Sequence, residues 1–518
     1  MWKKCLLTFF LFITGLLLIT TVLLMTPLPN PPILGQDGVF LIRNVNVVDV
    51  KNGNLLSEQN VLLHDGVITS VSADRPDFSH PSLQVIDGSG KYLMPALWDM
   101  HTHSSKLSPQ YEHPLWIAHG VSAVREMWGC MSEPDPFFAC KDDRDGWNEA
   151  LADGTGISPR YLLHSSFQVN GGNEVPEGYP EFFKARDEDE ARQLVAYYAE
   201  AGTDFLKTYT ELSLPAYQAL AAEARKQGLY LAGHRPLSVS MEDLLAAGQR
   251  SVEHGRLLFL ECYRDADEFR NLSNPLAAYT PELKTLLVDR QDNRRCAELI
   301  NALASSDTWW VPTLQTLQMS AMAADPAFRN DPRLMYVPYL IRRFMWVPDA
   351  DRAATQIAAY PHRNVEQELF LLSLRQVGAA HDAGVKLMTG TDSGDTYVVP
   401  GFSVHEELVL LVEAGLSPAA AIKSATLDAA VFSGLEAQYG SVEENKIADL
   451  LLLNGNPLAE IQNTQQIDGL FYSGRYYNRS ALDDLLAFAA EQAGSVRTNL
   501  HLAWMVLNSP LMRVQLAD

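Results

Sequence analysis

LMPALWDMHTH, residues 93–103, decides how the rest of the chain is read. An apolar run ends abruptly in His101-Thr102-His103. Alternate side chains of a β-strand share a face, so both imidazoles can point at one ion. Imidazole nitrogen is a favoured ligand for zinc and similar divalent metals. Two surface histidines beside a turn would look the same in isolation. The surrounding chain has to discriminate.

That chain alternates strand and helix. After LMPALWDM (93–100) come VSAVREMW (121–128), RYLLHSSF (160–167), DFLKTYT (204–210), LYLAGH (229–234), RSVEH (250–254), TWWVPTLQT (308–316) and VKLMTGTD (385–392). Amphipathic helical patterns lie between several of them, such as 187–201 and 213–227 with Pro215 in its first turn. Eight such units predict an α/β fold built on a (β/α)8 TIM-like barrel over 93–434. No G-x-G-x-x-G or Walker-type loop follows any strand, which disfavours nucleotide binding. Barrel enzymes assemble their chemistry at the C-terminal ends of the strands. His101 and His103 end the first strand, and Lys207 lies toward the end of the fourth. His234, His254 and Asp392 end the fifth, sixth and eighth. Singly, each has a dull explanation; jointly, they predict a metal site.

The two ends of the chain read differently. Residues 38–95 and the runs KIADLLLLNGNP and IDGLFYSGRYYN are β-rich. The turns Asp65-Gly66 and Asp87-Gly88 suggest a small antiparallel sheet. Segments 33–92 and 435–480 are therefore expected to form one discontinuous β-sandwich domain, followed by a helical extension over 481–518. At the N-terminus, Lys3 and Lys4 precede an uncharged apolar stretch from residue 5 to 25, then a Pro-rich spacer to residue 32. Its length suits a bilayer span, read as a signal anchor that leaves the catalytic body periplasmic or extracellular. Secretion after signal cleavage is the alternative. Apart from Cys5, local spacing suggests the disulfides Cys130–Cys140 and Cys262–Cys296, although four cysteines allow three connectivities. A net charge of -23 argues against nucleic acid or an anionic membrane as the main partner.

The motifs PALWDMHTH, DFLKTYTELS, LAGHRPLS, QRSVEHG, MTGTDSG, HEELVLLVEAGLSPAAAIKSAT and KIADLLLLNGNPL together resemble the amidohydrolase superfamily, in its imidazolonepropionase and Xaa-Pro dipeptidase (prolidase) branch. The resemblance covers roughly residues 38 to 475. It implies that His101, His103 and Asp392 hold a first metal and that His234 and His254 hold a second. Lys207 would bridge both as a lysine carboxylated by CO2. Two divalent ions, zinc by preference, would ionise a bridging water to hydroxide. Asp392 would act as general acid and base.

Three residues are expected to touch substrate: His164 at the end of the third strand, Tyr209 beside Lys207, and Arg235 beside His234, with a structural ion pair as the rival role for Arg235. Asp99 and Asp395 are candidates for orienting the imidazoles. His405 reads as structural or as a support for the ligands. The long connections 255–307 and 317–384 are expected to carry helices over the site, the second with bulky residues from Met335 to Trp346. Residues 168–178 also stand as pocket-lining candidates. The expected reaction is hydrolysis of a C–N bond in a small substrate such as a dipeptide or an N-acyl amino acid. Lactam or ester hydrolysis, or deamination, is the alternative, and a non-catalytic, membrane-tethered binding protein the remote one. The tail has three uses open to it: packing on the barrel, joining a second copy in a homo-oligomer, or lying on the membrane.

Overall fold

The computed structural model describes residues 2–131, 134–172, 184–360 and 362–515. Of the pocket-lining candidates, residues 173–178 lie outside these. Two parallel sheets form the middle of the molecule. Leu97–Thr102, Val121–Glu126 and Arg160–Tyr161 are neighbours in one. Ser165–Val169, Phe205–Thr208, Tyr230–Gly233, Ser251–Glu253, Trp309–Val311 and Lys386–Leu387 follow one another in the other. Every residue of Leu97–Thr102 and Val121–Glu126 is buried, as parallel strands covered on both faces require. The last strand curls back to the first: Met100 N donates to Thr389 O (3.0 Å) and Asp392 N to His101 O (2.8 Å). Helices pack between the strands where the sequence predicts them. Glu188–Glu200 starts on the Asp187 cap, and Leu214–Lys226 on the Ser213 cap with Pro215 in its first turn.

Three expectations change. The third strand is broken into two pieces, and its second piece runs to Val169 rather than ending near residue 167. The run 308–316 is strand only over Trp309–Val311; the chain then turns at Thr313 (φ 39°) into the helix Leu314–Met322. The N-terminal sheet is mixed. Asp65 and Gly66 do form the hairpin turn between Asn54–His64 and Val67–Ser72. Asp87-Gly88, however, is not a reversal: Leu83–Asp87 and Tyr92–Pro95 both pair parallel with Val39–Asp49, end to end. Gly88 N donates to Arg43 O (2.7 Å), so the chain continues along that strand instead of turning back. Leu450–Leu453, Ile467–Tyr472 and Arg475–Asn478 add to the same nine-stranded sheet, uniting the two chain ends.

Both local cysteine pairs are bonded, Cys130–Cys140 and Cys262–Cys296, and Cys5 is free. One N-terminal helix, Cys5–Met25, is long and apolar enough to cross a membrane by length and composition.

A buried polar network holds the loop that leaves His103. Glu126 accepts from Ser104 N (2.8 Å), the Ser104 and Tyr161 hydroxyls meet at 3.1 Å, and Tyr161 reaches His113 Nε2 at 2.9 Å. Next to it, Glu112 accepts from Tyr111 Oη (2.7 Å) and from Ser108 Oγ. Burial pushes the Glu112 carboxyl from 4.5 up to about 8, against the pull of those two hydroxyls. A folded value above the unfolded one means that the folded chain holds the proton more tightly. The stability this group gives is complete below its unfolded value and is lost as pH rises through about 8. Glu112→Gln, which keeps the shape without the charge, should therefore gain on wild type with rising pH. Thermal unfolding should show their difference in Tm moving in favour of the variant by about 2 °C from pH 6 to pH 9. A difference that ignores pH would contradict a buried, protonated carboxyl.

Candidate metal centre

One cavity of about 330 Å³ is lined by His101, His103, Lys207, His234, His254 and Asp392. The strand ends explain the meeting. Lys207 is paired with Gln168 and Ala232 in the sheet, and His234 N donates to Thr208 O (2.9 Å), so neighbouring strands deliver both at one level. His254 (φ 74°) and Asp392 (φ 66°) adopt left-handed backbone conformations, unfavourable by roughly 1 kcal/mol or more for residues with a side chain. Backbone bonds hold both: His254 N to Val311 O and Asp392 N to His101 O, each at 2.8 Å. Such strain is found where a side chain has to be aimed.

The aiming is specific. Asp392 Oδ1 lies 2.6 Å from His103 Nε2 and 3.3 Å from His101 Nε2, and its Oδ2 is 3.5 Å from His254 Nδ1. One donor atom each from His101, His254 and Asp392 falls within a 4.8 Å span. His234 Nε2 and His254 Nε2 face each other at 2.9 Å, with Thr210 and Thr313 hydroxyls on the opposite ring nitrogens. Glu253 takes His101 Nδ1 (3.0 Å), leaving Nε2 buried with no hydrogen-bond partner. An imidazole fixed on one nitrogen presents the other to the cavity.

Burial sets the charges. It drives His103 down to about 3 and His234 and His254 well below the usual imidazole range, so these rings are neutral. Burial also lowers Lys207 to about 8, against the pull of Asp392. For Asp392, burial alone would raise the carboxyl, but His101 and His103 hold it well below the ordinary range. His101 is raised because Asp392 and Glu253 outweigh its burial.

The expected substrate contacts divide. Tyr209 lines the cavity, its ring stacked on His234 at 4.2 Å. Arg235 does not line it. The guanidinium is turned aside to Glu261 (3.3 Å) and to the Pro236 carbonyl (2.9 Å), inside an adjoining cavity of about 420 Å³. His164 is a correction. Its carbonyl accepts from Asp204 N, before the strand Phe205–Thr208 begins, and its Nε2 is 3.2 Å from Asp145. Because the strand runs on to Val169, His164 falls near its start and away from the cavity. Asp99 is fully buried and accepts from Thr391 N (2.9 Å) and Oγ1 (2.6 Å), pinning the segment that carries Asp392. Asp395 lines the cavity and is raised to about 7 by burial and by Asp392. His405 is structural, bonded to Thr464 and to the His119 carbonyl.

Sequence reasoning missed several contributors. Glu253 bonds both His101 and Arg125, whose Nη2 lies 2.8 Å from Oε1. Arg256 lines both cavities and is exposed, with no carboxylate in salt-bridge range among the described residues. Phe344, Met345 and Trp346, in the connection expected to cover the site, do line the cavity as an apolar wall, and Met512 from the C-terminal tail joins them without any sequence signal.

A sequence profile of the Amidohydrolase family matches residues 184–476. A dihydroorotase of Carboxydothermus hydrogenoformans is 39% identical over 85 residues, 16% of this chain and 18% of that protein. The chain thus spans under a fifth of that relative's length. A bottromycin amidohydrolase has a similar structure, with a TM-score of 0.65 and 22% identity, over 92% of this chain and 93% of that one. A Xaa-Pro dipeptidase with bound methionine in its active site gives 0.59 and 20%, over 85% and 100%. At these identities the likeness to solved structures is one of fold.

Proposed function

The chain belongs to the amidohydrolase family, and on that premise we propose that it hydrolyses a C–N bond in a small amide such as a dipeptide or an N-acyl amino acid. The single observation that carries this reading is the convergence of four histidines, a lysine and an aspartate on one cavity. The donor set fits divalent ions: the buried Nε2 of His101 has no hydrogen-bond partner, and two neutral imidazoles turn their Nε2 atoms toward each other. We assign His101, His103 and Asp392 to one ion and His234 and His254 to a second. Lys207, carboxylated by CO2, would reach both. Zinc suits these donors. Bound ions of this kind polarise a carbonyl and bring the pKa of water toward 7.

The chain's own residues do the rest. Asp392, ionised, takes the proton of the attacking water and returns it to the departing nitrogen. Glu253 and the Thr210 and Thr313 hydroxyls hold the imidazoles in orientation. Arg256 offers its guanidinium to a substrate carboxylate at the cavity mouth. Arg256→Ala should raise KM by about tenfold to a hundredfold for carboxylate-bearing amides and leave kcat nearly unchanged. An unchanged KM would remove it from substrate recognition.

The architecture follows the same premise. The parallel strands are taken to close into a (β/α)8 barrel over 93–434, supported by the bonds from Met100 and His101 to Thr389 and Asp392. Segments 33–92 and 435–480 would form the composite β-sandwich beside it. We read Cys5–Met25 as a signal anchor with the body outside the cytoplasm, a compartment in which the two disulfides persist. The whole reading is tested by metal analysis of the purified chain together with a screen of dipeptides and N-acyl amino acids. About two divalent ions per chain and turnover of a carboxylate-bearing amide are expected. Turnover of lactams or esters alone would replace the amide assignment.

A further inference from the structure

Among the described residues the C-terminal extension gives the site Met512 alone, yet it is built in an unusual way. In the helix Val496–Asn508, one face buries Thr498 and Leu502. Residues 496, 500, 503, 504 and 507 recur at spacings of three and four, which places them in one stripe. Three of its members face outward, Val496 at 72% exposed, Trp504 at 49% and Leu507 at 75%, while Leu500 and Ala503 are half-buried. A surface helix in water carries polar residues there. On another flank the helix packs against the N-terminal helix Trp2–Met25, with His501 Nε2 3.1 Å from Leu23 O. The exposed stripe therefore adjoins the helix that, among the described residues, is long and apolar enough to cross a bilayer.

The same helix is tied to the cavity rim. Leu340 N donates to Asn499 Oδ1 (3.0 Å), and residue 340 leads directly into the π-helical turn Arg342–Trp346, whose Phe344, Met345 and Trp346 line the cavity. Pro510–Gln515 follows at once and brings Met512 to the same wall. Met335, Tyr339 and Phe344 are themselves more than half exposed. The local charge is reversed as well. Residues 332–346 and 496–515 contain no Asp or Glu, in a chain of net charge -23; Arg333 is paired with Asp331 and Glu406, which leaves Arg342, Arg343, Arg497 and Arg513 as the positive charges of this face. Exposed apolar side chains interleaved with arginines match a phospholipid surface, where acyl chains lie beneath phosphates.

We propose that this face rests on the bilayer beside the N-terminal span, so that the cavity opens at headgroup level and takes a membrane-borne amide: a long acyl chain joined to a small carboxylate-bearing head. This rests on the reading of the site as an amide hydrolase. Water adds to the acyl carbon, the C–N bond breaks, and the nitrogen leaves with a proton, giving a fatty acid and a free amine. The acyl chain runs past Phe344, Met345, Trp346 and Met512 toward the lipid, while the carboxylate of the head meets Arg256.

The test uses the full-length chain reconstituted in phosphatidylcholine–phosphatidylglycerol vesicles and offered N-acylglycines from acetyl to myristoyl. kcat/KM should rise by at least about tenfold from hexanoyl to dodecanoyl, as further methylenes are sheltered from water. The double variant Trp504→Glu, Leu507→Glu should lose about tenfold on the dodecanoyl substrate and keep wild-type turnover of acetylglycine. Brominated phosphatidylcholine should quench wild-type tryptophan fluorescence more than that of Trp504→Phe. A flat chain-length profile with acetylglycine or dipeptides still hydrolysed overturns the inference and leaves the amide hydrolase standing. No turnover of any amide, soluble or membrane-borne, overturns both. Absence of lipid quenching at Trp504, with Leu507→Cys chains cross-linking to one another, would make a second copy the occupant and refute the lipid.

Discussion

Replacing Lys207 with alanine is expected to abolish turnover, by about 10⁴-fold or more, and to strip the chain of metal at the same time. The side chain is 3% exposed, shares one cavity with His103, His234 and His254, and is the one lysine or arginine among the six residues proposed for the centre. As an ammonium it would repel divalent ions at that spot. Burial has already lowered it to about 8, so a usable fraction is the neutral amine that reacts with CO2. The product is an anion with two oxygens, and the sign of the local charge is inverted. On the proposed reading, removing Lys207 would remove that anion and leave four imidazoles and one carboxylate to hold two dications. Short carboxylic acids that fit the space left by the side chain should restore part of the metal content and part of the activity together. A ¹³C-bicarbonate resonance of a carbamate, present in wild type and missing from Lys207→Ala, is the independent readout. If the alanine variant kept both ions and full turnover, the bridging role would be wrong and Lys207 would be a buried structural lysine.

How much of this was legible before any coordinates depended on whether the backbone kept its period. Five of the cavity residues could be found because His101, His103, Lys207, His234 and His254 sit at or next to the ends of parallel strands, which stop on the same side. Asp392 lies five residues past the strand Lys386–Leu387 and reaches the same cavity from the loop that follows it. Glu253 was hidden by the same rule. Neighbours in a strand point to opposite faces, so a residue beside a ligand is read as facing away. Here the left-handed turn at His254 (φ 74°) breaks the alternation and lets both Glu253 and His254 meet the centre. His164 failed for the converse reason. Its strand continues past an interruption to Val169, so the residue taken for an end is nearer a beginning. Arg256 carries no periodic signal at all, because it lies in the turn after the strand Ser251–Glu253 and shows in the structure only as a cavity-lining side chain. The mixed pairing of Leu83–Asp87 was equally out of reach, because a local turn signal cannot say which neighbour the next strand will choose.

Asp392→Asn is the second large effect, with kcat expected to fall by about 10³-fold to 10⁴-fold. The substitution is nearly isosteric, and asparagine tolerates the backbone conformation that Asp392 adopts at φ 66° better than most residues. The fold should therefore survive, and the loss reports on charge alone. Two roles are bound up in that charge. One is the proposed ligation, from the carboxylate whose Oδ1 lies 2.6 Å from His103 Nε2 and 3.3 Å from His101 Nε2. The other is proton transfer to the leaving nitrogen. They separate by leaving group. An alkyl amine departs only when it is protonated, whereas an activated phenolate departs without help. If Asp392 returns the proton, the deficit of the variant, measured at saturating metal, should shrink by at least about tenfold on passing from an N-acyl amino acid to the activated phenyl ester of the same acyl group. If ligation were its whole contribution, both substrates would suffer equally. Asp395, in the same cavity and raised to about 7 by burial and by Asp392, is the rival proton carrier. Asp395→Asn supplies the comparison: should it show the leaving-group dependence while Asp392→Asn does not, the shuttle belongs to Asp395, and Asp392 is left as a ligand only.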